Sequence, residues 1–337
     1  MLQILEHTAL VRAEWNRLVA QSETGTWFQS PEAYDFFAAQ PHLFKPFVWA
    51  VADNQDLLSV CVGYVTRESN SLKQFFTRRA IIIGGPAIVQ DCTVEALALL
   101  MQHVKEQLSR EAIYLETRNF RDFSPWAKAF EQAGWTYWPH YNFHIDCTSK
   151  DTIWANLSET RCRQIRKALK NGVTIDAQPT EQDIIDWYRI LREIYRTRVK
   201  TPLFPLNFFL SFYRQGIGRY LIVKYEGRVI GGIMCPIQEE QCIYEWFVCG
   251  LDSDYKECYP SVMATYAAME YGVNNELPLF DVMGAGVPDI PYGVRDFKAE
   301  FGGRLVEYGR YRFIAKPSLF RLGVWVVRML KGRSLNL

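Results

Sequence analysis

The sequence predicts an α/β (α+β) protein of two related domains, each built on a mixed, mostly antiparallel sheet flanked by helices. Three observations lead there. The chain has 337 residues and is 49% hydrophobic, which is ample for two cores. Short apolar runs of strand length alternate with segments of helical spacing along the whole chain. The order of these segments occurs twice: helix, helix, hairpin, strand, helix, strand, helix, strand, each copy spanning about 150 residues.

In the first copy, Thr8 to Val19 and Pro31 to Ala39 read as helices, the second opened by a Ser30 cap with Pro31 in the first turn. Pro46 to Asp53 and Leu57 to Glu68 form a hairpin about Asn54-Gln55-Asp56. A basic, aromatic loop (Lys73, Phe75, Phe76, Arg78, Arg79) leads to a strand at Ala80 to Ile83 and a turn at Gly84-Gly85-Pro86. Leu97, Leu100, Met101, Val104 and Leu108 mark one face of a helix over Val94 to Leu108. A strand at Ala112 to Thr117, a helix at Pro125 to Gln132 closed by Gly134, and a last strand at Trp135 to Asp146 complete the copy.

The second copy runs Val173 to Ala177 (strand), Glu181 to Val199 and Leu206 to Gln215 (helices), and Tyr220 to Tyr225 with Val229 to Pro236 (hairpin). Gln241 to Cys249 (strand), Pro260 to Val273 (helix), Pro278 to Met283 (strand), a helix around Phe297 and a strand over Arg304 to Ala315 follow. The expected domains are 1–147 and 148–316, with 317–337 as a terminal helix packing back on the first. The apolar residues of that helix occupy most of its circumference, which favours packing over a seat on an anionic membrane.

Composition narrows the function. Lys plus Arg number 38 against 37 Asp plus Glu, a net charge of +1, so any attraction to a polyanion must be local. Eight cysteines are scattered without Cys-x-x-Cys spacing, most of them in apolar runs, as reduced thiols of a cytoplasmic protein are. The N-terminus lacks the basic-then-apolar order of a signal peptide, and no apolar run reaches the ~18 residues of a membrane span. His140 and His144 stand four apart in an extended rather than helical setting, so no zinc pair is expected. No Walker loop, Rossmann fingerprint or Gly-x-Ser-x-Gly occurs, and neither metal nor redox cofactor is expected.

Two stretches carry candidate chemistry. Phe280-Asp281-Val282-Met283-Gly284-Ala285-Gly286 reads as a buried strand ending at a close-approach backbone, followed by a short helix with Lys298 between Phe297 and Phe301. Two core rings around a snorkelling lysine would give the same pattern. Arg163, Arg166, Lys167 and Lys170 stand at i, i+3, i+4 and i+7 on one helix face, with Arg161 as a fifth cation and no acid among them. That face suits a phosphate, or is a solvated surface. Arg198 is a further cation for the same anion, and Tyr244-Glu245-Trp246 mixes core residues with one that reaches a cleft.

Arg163-Gln164-Ile165-Arg166-Lys167-Ala168-Leu169-Lys170-Asn171-Gly172-Val173, Tyr259-Pro260-Ser261, Phe280-Asp281-Val282-Met283-Gly284 and Phe297-Lys298-x-x-Phe301-Gly302-Gly303 together resemble the Fem family of tandem-GNAT aminoacyltransferases. The likeness is strongest over residues 154 to 315, and Trp27-Phe28-Gln29-Ser30 is its best match in the first half. The resemblance implies a tandem GNAT fold, an aminoacyl-tRNA donor and an amine acceptor on a lipid-linked or nucleotide-linked peptidoglycan precursor. It also implies a cytoplasmic enzyme meeting such a precursor at the inner face of the membrane.

It places Lys298 at the catalytic centre as the positive group near a developing oxyanion, with Phe297 holding the end of the tRNA. Asp281, at a strand end, is an anchor more readily than a base. The chain departs from the family in having no room for a long helical arm between Thr201 and Val223, and no lysine after the Gln-Ser motif. The loop Asp254-Tyr255-Lys256-Glu257-Cys258-Tyr259-Pro260 has none of the glycines that cradle coenzyme A in other GNAT proteins. The alternatives are an N-acyltransferase of polysaccharide or lipid biosynthesis, and a silent module that holds a precursor.

Overall fold

The computed structural model describes residues 1–54, 56–67 and 77–331. Gln55, Glu68, Lys73, Phe75 and Phe76 lie outside them. The described chain divides into two compact units, Met1–His140 with Glu307–Leu337, and Tyr141–Val306.

The first unit opens with β1 (Leu2–Glu6), α1 (Arg12–Gln21) and α2 (Pro31–Ala38). Ser30 caps α2 by accepting a hydrogen bond from the Ala33 amide, with Pro31 in the first turn. β2 (Phe44–Asp53), β3 (Asp56–Thr66), β4 (Arg79–Gly84) and β5 (Ala87–Ile88) precede α3 (Val94–Leu108), β6 (Tyr114–Asn119), α4 (Ala127–Gln132) and β7 (Thr136–Trp138). Helices cover both sheet faces, so strand residues of both parities are buried. Cys61 and Val65 of β3 join the cluster of Leu97, Leu100, Met101 and Phe130, while Val60 and Val62 join that of Trp15, Leu18 and Val19.

The second unit begins with β8 (Tyr141–Asp146), α5 (Lys150–Asn156), α6 (Glu159–Lys170), β9 (Thr174–Asp176), α7 (Glu181–Ile194) and α8 (Leu206–Gln215). It continues through β10 (Gly218–Tyr225), β11 (Arg228–Gln238), β12 (Cys242–Tyr244), β13 (Phe247–Gly250), α9 (Pro260–Asn274), β14 (Leu279–Asp281), α10 (Gly293–Ala299) and β15 (Arg304–Glu307). β16 (Arg310–Ile314) and α11 (Pro317–Lys331) return to the first unit. There Phe320 packs edge-on against Tyr114. No helix among the described residues is long and apolar enough to cross a membrane.

The sheets share one order, β1-β2-β3-β4-β6-β16-β7 in the first unit and β9-β10-β11-β12-β14-β8-β15 in the second. In each, one parallel pair (β4 with β6, β12 with β14) sits among antiparallel neighbours. The internal repeat is thus a structural one. Each sheet also contains one strand from the other half of the sequence, which the continuous readings of Trp135 to Asp146 and Arg304 to Ala315 did not foresee. The first run breaks at Pro139-His140, where proline has no amide hydrogen to give a ladder. The second breaks at Tyr308-Gly309; Gly309 has φ +60, and a Cβ there would lie 2.3 Å from the Tyr137 ring.

Candidate active site

Gln241 to Cys249, expected as one strand, is split by a bulge. Ile243 pairs with Ile237, but Phe247 pairs with Met234, so Glu245 and Trp246 span an irregular step. The Glu245 amide leaves β11 and donates to the Asp281 carbonyl at 2.9 Å, while the Trp246 amide returns to the Met234 carbonyl at 3.1 Å. β12 lies parallel to β14 only as far as Tyr244 opposite Asp281. β13 then follows β11, and β14 ends. The parallel pair therefore forks, which is the place where open α/β sheets hold ligands.

Glu245 occupies that fork with Lys298 from α10. Both are buried, at 6% and 8% exposure, and the ammonium lies 2.8 Å from Glu245 Oε1. Lys298 Nζ also donates to the Val282 carbonyl at 2.7 Å and the Gly284 carbonyl at 2.9 Å. Its three donors are thereby all engaged. Burial pushes the Glu245 carboxyl above its ordinary value, more than Lys298 draws it down.

The loop after β14 is held from both sides. Met283 adopts left-handed φ +55, and its amide donates to Asp281 Oδ1 at 2.8 Å. Asp281, fully buried, also accepts from Asn142 Nδ2 at 2.7 Å and lies 3.1 Å from His144 Nε2, so it anchors the loop. Gly284 donates its amide to Asn142 Oδ1 at 2.8 Å. Arg295 Nε donates to the Ala285 carbonyl at 2.8 Å, and its guanidinium covers the Tyr141 ring. Two cations of α10 thus grip the carbonyls of one turn.

Arg161 is placed differently from the expected fifth member of a basic face. It falls on the inward stripe of α6 with Ile165 and Ala168, and its guanidinium lies 4.4 Å from the Phe297 ring centroid and 5.2 Å from that of Phe301. It donates to Gln164 Oε1 at 2.6 Å and lies 3.6 Å from Glu300. One face of Phe297 is therefore covered by a cation. Burial lowers the affinity of Arg161 for its proton, against the pull of Glu300.

Three of the remaining cations of α6 have an acid or a ring beside them. Arg163 lies 3.7 Å from Glu159, Lys167 pairs with Glu257, and Arg166 sits over the Trp154 ring at 5.1 Å. Lys170 is exposed at the end of the same helix. Arg198 donates to Ser253 Oγ at 2.8 Å. Tyr244 is fully buried on β12. No acid stands among the five cations in the sequence, but Glu257, from a loop far along the chain and invisible to helical periodicity, lies beside Lys167.

The start of α9, a helix N-terminus of the kind that binds anions on free amides, is occupied from within. Pro260 has no amide hydrogen, and Asp252 accepts from the Ser261 amide at 3.0 Å and from Ser261 Oγ at 2.5 Å.

Two sheets of this order, each with one parallel pair among antiparallel neighbours, define a protein with two GNAT folds in one chain. Residues 158–299 match the family model described as an acetyltransferase (GNAT) domain. The chain shares its fold with FemX, at 13% identity and a TM-score of 0.73, over 95% of this chain and 99% of that one. The C-terminal domain of a putative lysylphosphatidylglycerol synthetase from Agrobacterium fabrum aligns at 12% identity and TM-score 0.58, over 93% and 97% of the two chains. A tandem GNAT protein of the clavulanic acid pathway aligns at 11% identity and TM-score 0.54, over 94% and 99%. No curated protein sequence matches the chain.

Proposed function

We propose that this chain transfers an aminoacyl group from aminoacyl-tRNA to an amine of a cell-envelope precursor, at the strand fork beside Lys298. The observation that carries the reading is the buried Lys298–Glu245 pair at that fork. An aminoacyl ester is already activated, so the protein must position the partners, take a proton and stabilise developing negative charge. The amine nitrogen bonds to the ester carbonyl carbon and the carbon–oxygen ester bond breaks. Glu245 takes the proton released by the amine and passes it to the leaving ribose oxygen. Its raised proton affinity brings it nearer the working range of such a base.

Lys298 serves as a fixed charge. With its donors committed to Glu245 and two carbonyls, it stabilises the oxyanion through space and keeps Glu245 from being permanently protonated. The occupied start of α9 favours an ester donor over coenzyme A. The motif resemblance to the Fem family, whose fold this chain shares with FemX, supports the same donor and a peptidoglycan-type acceptor.

The test is to incubate the full chain with charged tRNA and cell-wall precursors, and to look by mass spectrometry for a precursor heavier by one aminoacyl residue. Lys298→Met and Glu245→Gln should abolish that product while binding of the precursor persists. Undiminished product with both variants, or acetyl transfer from acetyl-coenzyme A in place of aminoacyl transfer, overturns the reading.

A further inference from the structure

The first unit holds a charge cluster that the acyl-transfer chemistry does not use. Glu116 of β6, with its side chain 2% exposed, accepts from Arg118 Nε at 2.9 Å, Arg310 Nη1 at 3.1 Å and Arg312 Nε at 2.6 Å. Arg312 lies directly across from Glu116 in the β16–β6 ladder, and Arg118 is two residues along the same strand, so all share one sheet face. Three guanidinium groups against one carboxylate leave a net charge of +2 at the face.

One guanidinium balances the charge of a buried carboxylate, so three exceed in charge what Glu116 requires. Among the described residues each guanidinium gives the protein one hydrogen bond, to Glu116, and its remaining donors are unspent. Arg310 Nε and Arg312 Nη1 are buried without a partner, and the Arg312 side chain as a whole is 8% exposed. Burial, reinforced by the charges of Arg118 and Arg312, pushes the Arg310 guanidinium down to about 10 despite Glu116. Like charges held this close are costly unless a second anion joins them.

The cluster is not sealed. The Arg118 side chain is 35% exposed and that of Arg310 is 22% exposed. Beside them Trp138, itself part-exposed, lies under Arg312 at 4.8 Å, giving a flat apolar neighbour to a polyanionic head. Guanidinium groups bind phosphate oxygens in planar pairs, and a diphosphate matches the surplus charge with oxygens enough for several donors.

We infer that Arg118, Arg310 and Arg312, held in place by Glu116, form a diphosphate-binding site on the first unit. Assigning that diphosphate to the acceptor rests on the acyl-transfer reading; the site itself does not.

Calorimetric titration of the full chain with inorganic pyrophosphate tests the site without turnover. Saturable binding is expected, weakening as salt is raised, with affinity falling about tenfold or more in Arg118→Gln and in Arg310→Lys. Far-UV circular dichroism verifies that each variant is folded, and the wild-type titration stands whatever the variants do. Parallel titrations with a nucleoside diphosphate and a short prenyl diphosphate tell a nucleotide-linked from a lipid-linked source by which binds more tightly than pyrophosphate. Absence of pyrophosphate binding, or binding unchanged in both variants, overturns the site. Loss of aminoacyl transfer with pyrophosphate binding intact would count against the catalytic reading alone.

Discussion

Replacing Lys298 by Met removes the ammonium while keeping a flexible apolar stem of similar reach. Glu245 is then left buried without its counter-ion, and the Val282 and Gly284 carbonyls lose their common donor. Breaking a buried pair from one side costs roughly 3–5 kcal/mol. For a unit the size of Tyr141–Val306, each kcal/mol lowers the melting temperature by about 2–4 °C, so a fall of roughly 6–20 °C is expected. Adding Glu245→Gln removes the stranded charge, and the double variant should regain about 2 kcal/mol relative to Lys298→Met. Calorimetry of wild type, both single variants and the double variant closes the cycle. A single variant melting within about 2 °C of wild type, or a double variant no better than the sum of the singles, would refute the charge coupling.

Three further outcomes are expected. Because the folded-state proton affinity of Glu245 is raised above its ordinary 4.5, the folded protein holds that proton more tightly than the unfolded chain. Its contribution is full below that value and is lost as pH rises through the folded value. The melting temperature of wild type minus that of Glu245→Gln should therefore decline as pH is raised from about 4.5, and a difference that grows with pH would contradict the raised affinity. Gly302→Ala puts a Cβ 2.2 Å from the Asn156 carbonyl oxygen at φ +77, so urea unfolding should show a loss of more than about 1 kcal/mol. Asp252→Ala removes the acceptor of the Ser261 amide and hydroxyl at the start of α9 and should cost about 1–2 kcal/mol; an unchanged urea midpoint would show that water replaces it at no loss.

Local signals made much of the fold legible. The spacing of Leu97 to Leu108 gives α3, the Ser30-Pro31 start gives α2, and the repeated order of segments gives two sheets of one topology. β1 escaped notice because its five residues are only half buried and acquire meaning by pairing with β2, Glu6 opposite Trp49. Lys298 and Phe297 were found through a resemblance in motif. Glu245 was not singled out, since a bulge is a property of two strands in register and one strand alone reads as continuous. The available signal was an acid within Cys242-Ile243-Tyr244-Glu245-Trp246-Phe247-Val248-Cys249, a run too apolar to leave that carboxylate buried without a cation. The inward turn of Arg161 was likewise available from its spacing to Ile165 and Ala168.

The exchange of β8 and β16 bears on how this molecule is made. On a ribosome the amino-terminal unit cannot finish its sheet when residue 140 emerges, because the strand that belongs between β6 and β7 ends at Ile314. Until then β6 presents an open edge, the kind of surface that recruits foreign strands. A nascent chain stalled short of residue 310 should accordingly be sensitive to protease around β7 and should become resistant once translation passes the β16 codons. Two halves expressed separately and cut at residue 147 would each carry one strand of the other sheet and lack one of their own, so they should fold only when mixed.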